Sequence, residues 1–349
     1  MASSKGSILV TGANGGLGSA IVSHILADPD LAAHHGLYTV RDASAPNVAL
    51  RTALSSSPTH ASSEILSLDL SRLSNVREFA ASINKRVKGG EIPPIKALIL
   101  NAGVLEFEQQ TWTSDKEGRL DMTFAANYLA HWLLTLMLLQ SMDRERGRVV
   151  VVGSAVHNAQ LLRNARHYHN DKFIIRDGTD AIAKGTWSSR EEDPSYHSGF
   201  RRYGASKLCL YMMVTELQRR LSTDPALGGI TLVGIDPGSM NTSIARHGNW
   251  VVRTVIFPIV IGGAARLLSG FYPNMVMRTP EKSAKDVMNA AMSSERLKDD
   301  GGGLYLNGSE IDHEVSDEVN DAAKRAMVWQ DSVRYARLEE GETMLVDWK

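Results

Sequence analysis

Thr11-Gly12-Ala13-Asn14-Gly15-Gly16-Leu17-Gly18 follows the short apolar run Ile8-Leu9-Val10 and opens a stretch that carries Leu17, Ile21, Ile25 and Leu26 on one helical face. A strand, a glycine-rich turn and a helix are thus written into the first 27 residues. Glycine permits a tight turn and a close backbone approach, and the helix N-terminus behind it offers free amides and a positive dipole end. In the first βα unit of an α/β sheet, that arrangement suits the pyrophosphate of a dinucleotide. The spacing Gly-x-x-x-Gly-x-Gly differs from the more familiar Gly-x-Gly-x-x-Gly, and a turn that binds nothing is the plainer alternative.

The same rhythm continues outward. Leu37–Val40, Ile65–Leu68, Ala97–Leu100 and Val149–Val152 read as strands, and Ile230–Ile235 and Leu304–Leu306 follow later. Between them lie helical patterns: Leu73, Val76, Phe79, Ala80 and Ile83 behind a Ser71 cap, a long helix from about Gly118 to Ser141, Tyr203 to Leu221, and Glu281 to Ser293. Uninterrupted apolar strands alternating with amphipathic helices predict an α/β fold, a doubly wound parallel sheet of the Rossmann type. The rhythm breaks at 157–202, which predicts an insert after the fifth strand. Residues 311–349 are charged and predict a surface helical extension. The expected organisation is one domain over 7–310 with that insert, then the extension.

The chain has 349 residues, 38 Lys+Arg against 39 Asp+Glu, and 43% hydrophobic residues. This is a globular balance, and it lacks the basic excess of a nucleic-acid binder. A single cysteine, Cys209, forbids an internal disulfide framework and suits a reducing compartment. Cys209 itself reads as a small buried residue. The first apolar run is too short for a signal-peptide core, so a cytoplasmic location is expected. The greasiest stretch, Val255 to Ala265, falls short of the ~20 residues of a membrane span.

Chemistry enters with Tyr203-Gly204-Ala205-Ser206-Lys207. A helix places i and i+4 on one face, and a cation beside a phenol stabilises its phenolate, so the pair can move a proton to or from a carbonyl oxygen. Ser154, at the carboxyl end of the fifth strand, can hold that oxygen. A second copy, Tyr168 to Lys172, lies in the insert with no apolar helix behind it, which favours Tyr203. After the second strand, Arg41 would grip a ribose 2′-phosphate, whereas a one-residue shift would put Asp42 there to hold a 2′-hydroxyl. His167 and His169 lack the spacing of a metal site, read as surface polar residues, and no metal is expected.

Together these residues resemble the short-chain dehydrogenase/reductase family over about 7–310. Thr11 to Gly18 matches its glycine turn, in which Thr11, Gly12, Asn14, Gly16, Leu17 and Gly18 would face the cofactor. Asp69-Leu70 resembles its adenine-contacting pair, and Asn101-Ala102-Gly103 its motif after the fourth strand. Asn127 to His131 resembles the helix that carries its structural and catalytic asparagine. Ser154, Tyr203 and Lys207 fall on its catalytic serine, tyrosine and lysine. Pro237-Gly238 with Thr242 matches the segment beside the nicotinamide. The resemblance implies that Tyr203 is the proton donor in reduction, that Lys207 holds the nicotinamide ribose and tunes Tyr203, that Asn127 supports a water-linked proton path, and that Ser154 orients the carbonyl. Two departures stand out: Ser154 and Tyr203 lie 49 positions apart, and position 153 is glycine where many members carry a second serine.

The wording Asn-x-x-x-His-x-Leu-Leu-Thr and Arg41-Asp42 resembles the retinol dehydrogenase, ketosteroid reductase and fungal natural-product ketoreductase branches. The resemblance implies NADPH-dependent reduction of a ketone on a bulky apolar molecule of sterol, retinoid or polyketide type. Oxidation of a secondary alcohol with NAD(P)+ is the same chemistry reversed. A silent NADP-binding scaffold or sensor is the alternative outside catalysis. Residues 242–280 are expected to form a substrate lid, with 250–270 as a candidate peripheral membrane contact. The two long helices are the expected face of a homodimer.

Overall fold

The computed structural model describes residues 5–56, 62–169, 171, 173–240, 274, 276–293 and 303–349. Thr242 and the stretch 250–270 lie outside them, as does most of the 242–280 lid. The strands are β1 (Ser7–Val10), β2 (His35–Val40), β3 (Ser63–Ser67), β4 (Ile95–Leu100), β5 (Arg148–Val152), β6 (Thr231–Asp236), β7 (Leu304–Asn307) and β8 (Glu310–Ile311). They form one sheet in the order β3-β2-β1-β4-β5-β6-β7-β8, parallel up to β7, with β8 antiparallel at the edge. The expected α/β doubly wound sheet is therefore observed, with one short strand that the sequence reading lacks.

The strands alternate side chains between two cores. Ile8, Val10, Ile99, Val150 and Val152 face α1 (Gly16–Ala27), α2 (Val48–Ser55) and α6 (Pro280–Met292). Leu9, Leu98, Leu100, Val149 and Val151 face α3 (Leu73–Lys88), α4 (Met122–Ser141) and α5 (Tyr196–Thr223). Both faces are covered, as a parallel sheet requires. α4 is the one described helix long and apolar enough to cross a membrane, and it is buried inside the protein.

Three expectations change. Ser71 does not cap α3: it bonds Asp69, and the first turn is capped from afar by Glu117, which accepts from the Leu73 amide (2.8 Å) and the Ser74 hydroxyl (2.7 Å). The helix bearing Tyr203 starts at Tyr196, capped by Ser195, so the insert gives up its last seven residues to α5. The C-terminal extension is not a surface appendage. It forms α7 (Asp317–Asn320) and α8 (Ala322–Ala336) and sinks Val319, Val328, Trp329, Leu338 and Leu345 into the core beside α4 and α5.

The Trp329 ring meets Trp132 edge-on at 5.2 Å, and Ser332 bonds the Tyr128 hydroxyl at 2.7 Å. α4 is buried along its apolar length and α5 along nearly all of it. The chain's own tail thus packs against both long helices.

Candidate active site

The carboxyl ends of β1, β4, β5 and β6 open into a cavity of about 660 Å³. In an open α/β sheet this is where the strand order reverses and ligands bind. Its lining includes Gly12, Asn14, Gly16, Leu17, Gly18, Arg41, Asp69, Leu70, Asn101, Ala102, Gly103, Ser154, Tyr203, Lys207, Pro237 and Gly238.

Thr11 does not line the cavity; it organises it. Its hydroxyl accepts from the amides of Asn101 (2.9 Å) and Ala102 (3.0 Å) and lies 3.0 Å from His131 Nε2. The other ring nitrogen, Nδ1, is 2.9 Å from the Asn127 carbonyl, which can only accept. Nδ1 therefore donates, Nε2 accepts from Thr11, and the ring is neutral; burial holds its pKa down to about 4. Gly12 has φ +68°, and a Cβ there would stand 2.8 Å from Ala102 Cα. The positive φ favours glycine, and the close approach of the Ala102 backbone leaves no room for a Cβ. No side chain caps α1, so its first amides remain for a ligand's phosphate oxygens.

Beyond β2, Arg41 and Asp42 separate physically. Asp42 turns back to accept from the amide (2.9 Å) and hydroxyl (2.6 Å) of Ser44, whereas Arg41 lines the cavity and makes no ion pair among the described residues. Asn47 donates to Asn14 twice, from its amide to Oδ1 (2.9 Å) and from its side-chain nitrogen to the carbonyl (2.6 Å), and ties this loop to the glycine turn. Asp69 accepts from the amide and hydroxyl of Ser71 through one carboxylate oxygen.

Asn127 sits in a π-helical turn, Ala125–Leu129, inside α4. Such turns recur at functional sites because they free backbone groups. Its side chain clamps Val104, accepting from the amide (2.7 Å) and donating to the carbonyl (3.0 Å), and also donates to Ser206 (3.1 Å). Gly103 lies between Asn127 and Lys207: a Cβ on it would be 3.5 Å from Asn127 Oδ1 and 3.9 Å from Lys207 Nζ.

Tyr203 and Lys207 share the cavity face of α5. Lys207 Nζ donates to the Val152 carbonyl at 2.8 Å and stands 5.5 Å from the Tyr203 ring centre. Burial pushes its pKa down to about 8, with the Asp236 carboxylate resisting. Burial, with help from Asp236, pushes the Tyr203 phenol above its ordinary value, while a hydrogen bond with Ser154 acts the other way. At neutral pH the site thus holds a protonated phenol beside an ammonium group.

The two departures have physical causes. The 49-residue gap is taken up by the insert, whose Tyr168 ring packs under α5 and whose hydroxyl bonds the Val156 carbonyl at 2.7 Å. A Cβ on Gly204 would meet that hydroxyl at 1.8 Å, so the glycine is obligatory. Tyr168 is therefore excluded from the cavity that Tyr203 lines. Gly153 is glycine because Tyr211 fills the space: a Cβ would stand 2.2 Å from its ring. Cys209 is buried among these helices. His167 is also buried, stacked on Phe200 at 4.1 Å, rather than a surface group.

Asp236 was not anticipated. It ends β6 and holds two cavity loops together, accepting from Ala155 N at 3.1 Å and Gly238 N at 2.9 Å. Its only sequence signal is an acid directly before Pro237-Gly238. Leu105, Phe107, Val156 and Phe200 pack with Tyr203 into an apolar wall that lines the same cavity.

The model of the short chain dehydrogenase family matches residues 7–186. The short-chain dehydrogenase iccH of Talaromyces variabilis is 43% identical, over 99% of this chain and 99% of that one. Polyprenol dehydrogenase of Mus musculus is 28% identical over 81% of this chain and 71% of its own. Among solved structures, the NADPH-bound carbonyl reductase from chicken fatty liver superposes with a TM-score of 0.55 at 18% identity, covering 88% of this chain and 98% of that one. At that identity the likeness is one of fold.

Proposed function

The chain belongs to the short-chain dehydrogenase/reductase family of oxidoreductases, which act on CH–OH and C=O groups, and from that premise we propose that it is an NADPH-dependent reductase of a ketone on a bulky apolar molecule. The observation that carries this reading is the meeting of three surfaces in one cavity. The glycine turn, the apolar wall and the Tyr203–Ser154 pair all line it.

The residues fit the cofactor. Gly12 and Gly18 clear the turn, a Cβ on Gly18 falling 2.2 Å from the Gly12 carbonyl, and the uncapped start of α1 receives the pyrophosphate. Asp69 and Leu70 would flank the adenine, and Arg41 would meet the 2′-phosphate, since Asp42 is spent on its own turn. Asn101, Ala102 and Gly103 would line the middle of the cofactor, with Pro237, Gly238 and Lys207 at the nicotinamide end. NADPH supplies the hydride when bound.

This chain's own residues handle the oxygen. Ser154 holds the substrate carbonyl by hydrogen bonding. Tyr203, protonated at neutral pH, gives its proton to the oxygen as negative charge develops. Lys207 keeps a positive charge beside the resulting phenolate, and Asn127, which clamps Val104 next to Gly103, would support a water-linked proton path toward Lys207. A protonated Tyr203 is the form that reduction requires. The apolar wall favours a sterol, retinoid or polyketide type of substrate, and the relative named for polyprenol also points to an apolar one. The deciding experiment follows NADPH and NADH consumption against a panel of sterol, retinoid and aromatic polyketide ketones, with small polar carbonyls alongside. Turnover of at least one panel ketone with NADPH preferred supports the reading. Turnover only of small polar carbonyls, or preference for NADH, overturns it.

A further inference from the structure

We propose that the C-terminal segment completes the active site through His157, a positioning residue that fixes the backbone from which Ser154 projects. The inference rests on Ser154 orienting the substrate carbonyl. The His157 ring is fully buried, and both of its nitrogens are committed to backbone groups. Nδ1 lies 2.8 Å from the Ser154 carbonyl, which can only accept, so Nδ1 carries the proton. Nε2 accepts from the Ser316 amide at 3.2 Å. One neutral tautomer satisfies both bonds, and burial, which holds the ring's pKa near 4, keeps it neutral across the working range. The His157 amide also donates to the Ser154 carbonyl at 3.1 Å. Ser154 is thus gripped from behind by His157, while Asp236 holds the next residue by its amide.

The donor on the other side of the ring comes from a segment 159 positions away in sequence. That segment is fastened to the residues just after Ser154 at several points. Asn158 donates to the Glu314 carbonyl at 2.8 Å, and Gln160 bonds Asp317 at 3.0 Å. Glu318 accepts from the amides of Ile174 and Ile175, both at 2.8 Å. The exposed Arg163–Glu314 pair adds little by comparison. Behind the fastened segment, α8 is buried against α4 and α5. The tail therefore docks as a unit, and His157 carries its position to the catalytic serine.

The test uses the full-length enzyme and a ketone that it reduces. His157→Leu keeps most of the volume and removes both bonds. His157→Gln retains one donor and one acceptor. Ser316→Pro removes the amide hydrogen at a residue whose φ of −61° suits proline, and Ser316→Ala, which keeps the amide, is its reference. A catalytic group displaced by a fraction of an ångström to about 1 Å costs roughly 10- to 100-fold in rate. The expected result is a kcat loss of that size in His157→Leu and in Ser316→Pro relative to Ser316→Ala. NADPH dissociation constants, read by cofactor fluorescence, should stay within about twofold, and His157→Gln should recover most of the loss. Folded His157→Leu and Ser316→Pro proteins with wild-type kcat would overturn the proposal, as would a Gln variant no better than Leu. If His157→Leu does not fold, the Ser316 pair decides alone. Ser154→Ala, assayed alongside, separates the two readings: retained turnover there indicts the role of Ser154, whereas its loss with normal His157 variants indicts only the relay.

Discussion

Lys207→Met should stabilise the protein at neutral pH while abolishing turnover. Lys207 is buried, and burial lowers its ammonium from 10.5 to about 8. That change corresponds to about 3 kcal/mol of cost for keeping the charge inside. Below pH 8 the group is charged in both folded and unfolded chains, so the cost is carried in full. Between about pH 8 and 10.5 the folded group is neutral while the unfolded one still binds its proton, and stability rises with pH. Methionine carries no such cost, but it forfeits the 2.8 Å bond to the Val152 carbonyl, worth about 1 kcal/mol at any pH. The variant should therefore be more stable than wild type by about 2 kcal/mol at pH 7, and the advantage should vanish or reverse by pH 10. Urea unfolding of both cofactor-free proteins at the two pH values measures this, since the titrating groups remote from Lys207 cancel in the difference. A variant less stable at pH 7, or a difference that does not move with pH, would refute the reasoning.

Three further outcomes follow from the geometry. Arg41→Asp should turn the preference from NADPH toward NADH, read as the ratio of the two kcat/KM values; an unchanged ratio removes Arg41 as selector. Gly153→Ser should destabilise by about 1–3 kcal/mol through overpacking against Tyr211, and thermal unfolding unchanged from wild type would show that the ring yields freely. Asp236→Asn should move the alkaline limb of the kcat/KM profile to lower pH. The charged and titratable groups around Lys207 are Tyr203 on its own helix, His131 on α4 and Asp236 on β6, and Asp236 alone among them holds the ammonium up. A limb that stays in place while activity falls at every pH would reduce Asp236 to a tether.

The parts of the fold that were legible in the sequence are those written locally. Each strand from β1 to β7 contains a short apolar run with its own punctuation, and right-handed crossovers leave little freedom in ordering such runs. The glycine turn and the residues at the strand ends are legible for the same reason. What escaped depends on distant partners. The start of α5 contains Gly199, which reads as a helix breaker; it is there because a Cβ would stand 1.9 Å from the Glu106 carbonyl. Ser71 looks like a cap, but Asp69 already holds it, and Glu117 supplies the cap from across the chain. The charged tail hides a buried stripe through Val328, Trp329 and Ser332. His157 reads as the first residue of an insert, and Asp236 as a turn acid, because their distant partners, the amides of Ser316 and Ala155, lie 159 and 81 positions away.

The central claim is that Tyr203 delivers the proton to an apolar ketone during reduction by NADPH. The most direct measurement compares wild type and Tyr203→Phe in steady-state NADPH oxidation with the best ketone of the panel, alongside NADPH binding by fluorescence. The account predicts unchanged cofactor affinity and loss of nearly all turnover, because the phenylalanine ring preserves the apolar wall but has no proton to give. Turnover close to wild type in that variant would contradict it.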